Sequence, residues 1–261
     1  AEEIYTFEIG VLKSGEADIE IAYEDVELEF HLHDEVADAE IDPAHVALYA
    51  GPATWQRVPG DEAYGFLGAA GNPIYILPQD EQEGVLFLGI AGEEISPGVF
   101  QDDAVTVNFT SLEGPGEVVL YATDEFGAPM TYFDSSDGLS ESDAFPVSVG
   151  GHSHQNWGFT APGIYRVGLT ATGTLASGGT LTSSDEAVFL FEVFEPTIFS
   201  EGELDIEVAY EDGEWEIVGL DEANEQEICA TELVIRGGPE TRQAVPDDTA
   251  FAFLGSPGAV V

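Results

Sequence analysis

The residues best suited by type and spacing to carry chemistry in this 261-residue chain are two His-x-His pairs, His31 with His33 and His152 with His154. In an extended strand, residues i and i+2 project from the same side, so each pair offers two imidazoles to one metal ion. A single site that joins all four imidazoles would suit zinc or copper. The alternative is that these side chains make ordinary hydrogen bonds at the surface or in loops, because the pairs lie about 120 residues apart in the sequence.

An acidic segment forms a second candidate site. Asp134, Asp137, Glu141 and Asp143 place four carboxylates within ten residues, and Gly138 permits a sharp turn between them. Calcium takes roughly 6–8 oxygen ligands, including carboxylates and backbone carbonyls, so this composition fits a calcium site although the spacing is not that of an EF-hand. The alternative is a solvated turn in a very acidic protein.

The sequence carries none of the local motifs typical of a catalyst. It has no nucleophile elbow, phosphate-binding loop or metalloprotease helix motif. Paired carboxylates are too abundant in this chain to indicate glycoside hydrolysis. We therefore expect a protein that is not an enzyme.

The charge balance restricts the partners. The chain carries 52 acidic and 5 basic residues, for a formal net charge of −47. Nucleic acid and anionic membrane are excluded as expected partners, because their phosphates would be repelled. No run approaches the roughly 18 apolar residues of a membrane helix, so we expect no direct membrane insertion. Hydrophobic residues still make up 44% of the chain, which indicates a folded core rather than a disordered acidic tail.

Strands are the elements that must position these residues. Ile4–Ile9, Asp18–Tyr23 and Val26–His33 alternate between apolar and polar residues, as strands with one buried face do. In the last of them, the apolar residues from Val26 to Leu32 are expected to face the core and the two histidines the opposite side. Further predicted strands are Val46–Tyr49, Ile74–Leu77, Val85–Ile90, Val105–Phe109, Glu117–Ala122, Met130–Phe133, Ile164–Thr170 and Ala187–Phe194. Many short strands separated by turn residues predict an all-β protein of β-sandwich, immunoglobulin-like modules.

Three aromatic residues near the second histidine pair are expected in the core rather than on a ligand-binding platform: Trp157, Phe159 and Tyr165. Alternation sends the first two to one side of a strand, and buried aromatics anchor such sandwiches. The single cysteine, Cys229, cannot form a disulfide within the chain. We expect it to be a small buried residue, with an intermolecular bridge as the alternative.

The chain repeats its opening segment. Gly15–Asp25 returns as Gly202–Asp212, with an offset of 187 residues. We therefore predict a complete module over residues 1–195 and a partial second copy over residues 196–261. Within the first module, residues 94–103 are a candidate junction between two lobes.

The partial second copy predicts an interaction. It repeats strands whose later partners in the first module have no counterpart here, so apolar positions such as Ile206 and Val208, and an open strand edge, would need cover. We expect self-association through residues 200–261, in which a neighbouring subunit completes the module. Head-to-tail completion that does not close would give a filament. The alternative is that the rest of the second module belongs to the same chain.

The segment His152–Tyr165 reads His-Ser-His-Gln-Asn-Trp-Gly-Phe-Thr-Ala-Pro-Gly-Ile-Tyr. It resembles the H-x-H-x-N-W-x-F-T-x-P-G-x-Y signature of bacterial surface-anchored repeat proteins, also called choice-of-anchor M domain proteins, with shorter matches at Ile76–Gln79 and Leu86–Gly89. The resemblance covers most of residues 10–195 and implies a β-rich module that is secreted and tethered at the cell surface. Some members of the family resemble companions of metal-uptake transporters, and the family usually has a histidine where this chain has Glu16.

Two functions are expected from these observations. The first is a non-catalytic, secreted structural protein of the cell surface or extracellular matrix that assembles into fibres. Secretion is also favoured by a start at Ala1 without methionine, as after removal of a signal peptide. The alternative is a metal-binding or metal-delivery surface protein that uses the two His-x-His pairs.

Overall fold

Strands dominate the computed structural model, which describes residues 10–211, 214–235, 241–245, 247, 249–254, 256 and 259. The prediction of an all-β sandwich is confirmed, whereas the immunoglobulin-like arrangement stays a prediction. The chain divides into two units, residues 1–195 and 196–261. The predicted strand Ile4–Ile9 lies outside the described residues. Within the described ranges, no helix is long and apolar enough to cross a membrane.

The strands of the first unit are β1 (Gly10–Leu12), β2 (Gly15–Glu24), β3 (Glu27–Asp34), β4 (Ala39–Ile41), β5 (Val46–Ala50), β6 (Trp55–Arg57), β7 (Pro73–Leu77), β8 (Leu86–Ala91), β9 (Ala104–Glu113), β10 (Val118–Thr123), β11 (Pro129–Asp134), β12 (Ala144–Ser148), β13 (His152–His154), β14 (Asn156–Phe159), β15 (Gly163–Thr174), β16 (Leu181–Ser183) and β17 (Ala187–Val193). Short 3₁₀ helices lie at Pro43–His45, Pro52–Thr54, Glu62–Leu67, Gln101–Asp103 and Ser135–Asp137. The second unit contains β18 (Thr197–Phe199), β19 (Leu204–Glu211), β20 (Glu214–Asp221), β21 (Gln226–Cys229) and β22 (Leu233–Ile235), with 3₁₀ helices at Ala230–Glu232 and Thr249–Leu254.

Three sheets build the first unit. Their strand orders are β1-β5-β17-β15-β9-β12 with β16 beside β15, β13-β8-β2-β3-β4, and β11-β10-β14-β7-β6. Aromatic contacts join the largest sheet to both smaller ones. Phe30 of β3 meets Phe189 of β17 edge-on, with ring centroids 5.9 Å apart, and Trp157 of β14 packs on Phe191 of β17 at 5.2 Å. The main hydrophobic core therefore lies between the large sheet and the two smaller sheets.

The predicted core aromatics are confirmed. Trp157, Phe159 and Tyr165 are all fully buried. The Tyr165 hydroxyl donates a hydrogen bond of 2.8 Å to the carbonyl of Ala161, so its polar end is satisfied inside the core. The segment after the second histidine pair is therefore structural, and the pair lies next to fully buried residues of the core.

Residues 94–103 do not separate two lobes, contrary to the prediction. Strand β5 pairs with β17, β7 with β14, and β8 with β13. In each of these pairs, one strand precedes the segment and the other follows it. Every sheet of the first unit thus combines strands from both sides, and the segment is a connection within one unit.

The sheet β13-β8-β2-β3-β4 has an apolar face and a polar face. Ile19 of β2 is paired with both Leu32 of β3 and Ile90 of β8, and all three side chains are buried against the core. Residues that alternate with them project from the other face. Val26 differs from its predicted inward position, because it is 72% exposed and its φ of +76°, next to Asp25 at +47°, places both residues in the turn between β2 and β3.

The second unit contains a three-stranded antiparallel sheet, β19-β20-β21, and the parallel pair β18 and β22. One face of the β19–β20 hairpin is apolar and exposed. Ile206 and Val208 are 56% and 61% exposed, whereas the repeat-related Ile19 and Ile21 of the first unit are 0% exposed. Cys229, which was expected to be buried, is exposed at the end of β21.

Candidate metal site

Both histidine pairs lie on the polar face of the sheet β13-β8-β2-β3-β4, in register with each other. From β13 to β3, one row across the strands contains His152, Ala91, Glu20 and His31, and the adjacent row contains His154, Gly89, Asp18 and His33. Residues paired directly across neighbouring strands project to the same side of a sheet. Four imidazoles and two carboxylates therefore share one face.

The four imidazoles do not form the single site that the sequence predicted. Strands β8 and β2 lie between β13 and β3, and three strand spacings separate the backbones of the two pairs by about 14 Å. His152 and His154 share one cluster with Glu16, whereas His31 groups with Glu40 and Glu94. His33 belongs to neither cluster and contacts Glu35 instead.

His152 and His154 meet Glu16, a residue of β2 that the metal-site prediction did not include. Oε1 of Glu16 lies 3.2 Å from Nε2 of His154 and 3.9 Å from Nε2 of His152. Each of the three residues offers one ligand atom, and these atoms all lie within 4.8 Å of one another. Two imidazoles and a carboxylate are a ligand set that zinc uses.

Asp18 lies next to this three-residue cluster, on the same face of β2 as Glu16. The residue is only 1% exposed, and its Oδ1 accepts no hydrogen bond from any described residue. Oδ1 occupies the space that a side chain on residue 89 would fill if this residue were not glycine. The same space borders the ring of His154, since a Cβ on Gly89 would lie 3.1 Å from Cε1 of His154. A buried carboxylate oxygen without a partner is costly unless something pairs with it. Asp18 therefore presents an unsatisfied oxygen next to the histidine pair.

Neighbouring side chains fix the orientation of both imidazoles. The ring of His154 stacks on Phe87 of β8, with centroids 3.5 Å apart and planes 5° from parallel. Nδ1 of His152 lies 2.9 Å from Oε1 of Glu93, in the turn that follows β8. A carboxylate on one ring nitrogen sets the tautomer of a metal-binding histidine and frees the other nitrogen for the ion. Nε2 is the nitrogen of His152 that remains on the side of Glu16.

The titration behaviour of the cluster favours a cation. Burial raises the pKa of Asp18 to about 6 and that of Glu20 to about 7, and repulsion from nearby carboxylates adds to both shifts. Burial lowers the pKa of His154, whereas the hydrogen bond to Glu93 raises the pKa of His152. A bound cation would offset the repulsion among the carboxylates and would use His154 in its neutral form.

The first histidine pair engages other carboxylates. Nε2 of His31 lies 3.2 Å from Oε2 of Glu94. Nδ1 of His33 lies 3.0 Å from Oε1 of Glu35, and its Nε2 lies 3.7 Å from the fully exposed Asp38. The two imidazoles of this pair therefore have different acidic neighbours.

The acidic segment predicted to bind calcium uses two of its carboxylates for backbone hydrogen bonds. Asp134 caps the 3₁₀ helix Ser135–Asp137 by accepting a hydrogen bond from its first turn. Asp143 is buried and accepts a hydrogen bond of 2.6 Å from a backbone N–H of the same segment. The other two predicted ligands, Asp137 and Glu141, are exposed. Calcium binding at this segment stays a prediction.

Sequence reasoning missed Glu16, Asp18 and Glu93. Alternation with Ile19 and Ile21 marks Asp18 as outward-facing, but outward acids are common in a chain with 52 acidic residues. Glu16 had a usable signal, because it stands where the resembled family has a histidine, and both side chains bind metals.

No protein-family model matches this sequence, and no curated protein matches it at a significant level. Membership of the surface-anchored repeat family therefore stays a prediction from the motif around the second histidine pair.

Proposed function

We propose that this chain is a non-catalytic metal-binding module that holds one zinc-class divalent ion through Glu16, His152, His154 and Asp18. The observation that carries this proposal is the buried Oδ1 of Asp18, which has no hydrogen-bond partner among the described residues and lies near the ring of His154. A cation at this point would pair with that oxygen and with Glu16 at the same time.

The ligand types favour zinc over the alkaline-earth ions. Imidazole nitrogen suits zinc, copper, iron and nickel, whereas calcium and magnesium prefer oxygen ligands alone. Glu16, His152 and His154 offer the three ligand atoms that lie within 4.8 Å of one another, and we propose that the neighbouring Asp18 completes the four positions of a tetrahedral zinc ion. A filled coordination sphere leaves no position for a substrate, and this supports binding or structural use rather than catalysis.

The side chains of the polar face already hold both imidazoles in fixed orientations. Phe87 holds the ring of His154 and Glu93 holds that of His152, so little side-chain freedom would be lost on binding. Zinc titration of chelator-treated protein by calorimetry, with a competing chelator of known affinity, tests the proposal. We expect one ion per chain near neutral pH.

Variants locate the ion. His154→Ala and Asp18→Asn should each weaken zinc binding by at least about tenfold, as expected for loss of a ligand or of a close supporting group. His45→Ala is the matched control, because His45 lies in a 3₁₀ helix outside this cluster. Unchanged zinc affinity in His154→Ala, or no saturable uptake by the unmodified protein, would rule the site out.

A second candidate function is supported by the exposed face of the β19–β20 hairpin. Ile206 and Val208 are mostly exposed here, although the same positions of the first copy are fully buried. We infer a secreted structural protein of the cell surface or matrix in which a second copy of this chain covers that face, hairpin against hairpin. A self-complementary apolar face is the usual basis of a two-fold interface.

Sedimentation velocity across protein and salt concentrations tests this second candidate. Because each chain carries a net charge of −47, association should strengthen as salt screens the repulsion. Val208→Asp should abolish association. Phe126→Asp, at a position 86% exposed in a turn of the first unit, is the control and should associate normally. A protein that stays monomeric in molar salt at its highest soluble concentration would exclude this function.

A further inference from the structure

We propose a second divalent-cation site at the other end of the same polar face, formed by His31, Glu40 and Glu94. The ligand atoms of these three residues lie within 4.8 Å of one another. His31 comes from β3, Glu40 from β4 and Glu94 from the turn after β8, so three separate segments of the chain converge on this point. None of the three belongs to the zinc-class site proposed above.

The three residues line an open cavity of about 360 Å³. Three further acidic side chains, Glu24, Glu29 and Asp42, also line it. A water molecule takes about 30 Å³ of liquid volume, so the cavity has room for an ion together with several of its water ligands. One imidazole, two carboxylates and retained water fit manganese(II) better than they fit a four-coordinate zinc ion.

One ring nitrogen of His31 lacks a hydrogen bond among the described residues. Nε2 of His31 is shielded from solvent and makes no hydrogen bond with a described residue, although Oε2 of Glu94 is only 3.2 Å away. The Glu94 segment is fixed in turn, because its backbone N–H donates a hydrogen bond of 3.2 Å to Oε1 of the buried Glu20. A cation between His31 and Glu94 would bind the ring nitrogen and the carboxylate without moving either side chain.

The two sites share one short connection. Glu93 holds His152 of the first site, and the next residue, Glu94, faces His31 of the second. An ion bound by His152 would therefore further restrict the turn that presents Glu94. This link predicts that one equivalent of zinc tightens manganese binding. The link rests on the proposed function, whereas the second site itself does not.

Electron paramagnetic resonance of manganese(II) tests the second site directly, because free manganese gives a six-line signal that weakens on binding. Chelator-treated protein is titrated with manganese in moderate salt, with and without one equivalent of zinc. We expect one saturable manganese ion per chain. His31→Ala and Glu40→Gln should each weaken it by at least about tenfold.

Two controls make the outcome decisive. Glu29→Gln removes the same charge from the same cavity without touching the three-residue cluster, and it should leave manganese affinity within about twofold, since only a screened charge is lost. Thermal melts of every variant exclude unfolding as the cause of a loss. Equal weakening by Glu29→Gln and Glu40→Gln, or binding that is not saturable, would show diffuse attraction to an acidic surface and overturn the proposal.

The same experiment separates this site from the first. Manganese binding that His31→Ala abolishes but His154→Ala preserves supports the second site whether or not zinc binds. Zinc binding without any saturable manganese would refute the second site and leave the proposed function intact.

Discussion

The carboxylate of Asp18 lies beside Gly89 of the neighbouring parallel strand, in space that no other residue at position 89 would leave open. This relationship explains how an acid in the middle of a sheet is buried and yet directed at the histidines of β13. A carboxylate fits there only if the neighbouring residue of β8 has no side chain, and Gly89 meets this condition.

Gly89→Ala should therefore damage the site and the fold together. The added Cβ would collide with Oδ1 of Asp18, and we expect a loss of about 1–3 kcal/mol in the free energy of unfolding. Zinc affinity should fall as well, because the carboxylate must move. Chemical unfolding and zinc titration of the variant measure the two effects.

Two further variants test the cause. Gly60→Ala adds the same methyl group where no atom lies within 4 Å, so its stability should change little. Gly89→Ala combined with Asp18→Ala should recover stability but not zinc binding, because the collision and the ligand are removed together. A double variant as unstable as Gly89→Ala would contradict this account.

Metal-free protein should lose stability as pH rises towards neutrality. A carboxyl group whose pKa is higher in the folded state stabilises that state below its unfolded pKa, and this contribution is lost as pH rises through the folded value. Stability is lost between pH 3.8 and about 6 through Asp18, and between pH 4.5 and about 7 through Glu20, because these limits are the unfolded and folded pKa values of the two groups. Shifts of this size correspond to about 3 kcal/mol for each buried group.

Urea unfolding at pH 5 and pH 7.5, with chelator present, measures this dependence. The double variant Asp18→Asn and Glu20→Gln removes both titrating groups, so its free energy of unfolding should change less between the two pH values. Repulsion among the remaining acids affects the variant and the unmodified protein alike. The same loss of stability with pH in both proteins would show that the two buried acids do not cause it.

Local patterns in the sequence were enough to find the strands and their faces. Alternation assigned His31 and His33 to the side opposite Leu32, and it placed Trp157 in the core, because both depend only on the period of two along a strand. Val26 was misassigned, since an apolar residue in a tight turn extends the alternating pattern by one position.

The pairing of distant strands was beyond local patterns. The sheet order β13-β8-β2-β3-β4 decides that two strands separate the histidine pairs, and it brings Glu16 rather than His31 to His154. Burial of Asp18 depends on Gly89, more than 70 residues away in sequence. Nothing near Asp18 in the sequence distinguishes it from the other outward acids of this chain.

Trp157→Ala should unfold the first unit at much lower denaturant concentration. The indole is fully buried between Phe109 and Phe191, and removal of such a side chain costs about 3–5 kcal/mol. Trp215→Ala is the control, because Trp215 is 75% exposed in the second unit and its loss should change the unfolding of the first unit little. A normal unfolding midpoint for Trp157→Ala would contradict the packing described for β14.

Sodium chloride and zinc should stabilise the protein by different means. The net charge of −47 opposes folding, and molar salt shortens the range of that repulsion, so the melting temperature should rise with salt concentration. Zinc at low concentration barely changes ionic strength, but an ion that binds only the folded state adds about 2.7 kcal/mol at 100 times its dissociation constant.

His154→Ala separates the two effects, because it removes a proposed ligand and leaves the formal charge of the chain unchanged at neutral pH, where burial keeps this imidazole neutral. Sodium chloride should raise the melting temperature of the variant as much as that of the unmodified protein, whereas micromolar zinc should raise only the latter. If zinc stabilises both proteins equally, it acts as a counterion on an acidic surface rather than at the site of Glu16, His152 and His154. If salt stabilises neither, repulsion among the acids is not what limits the stability of this fold.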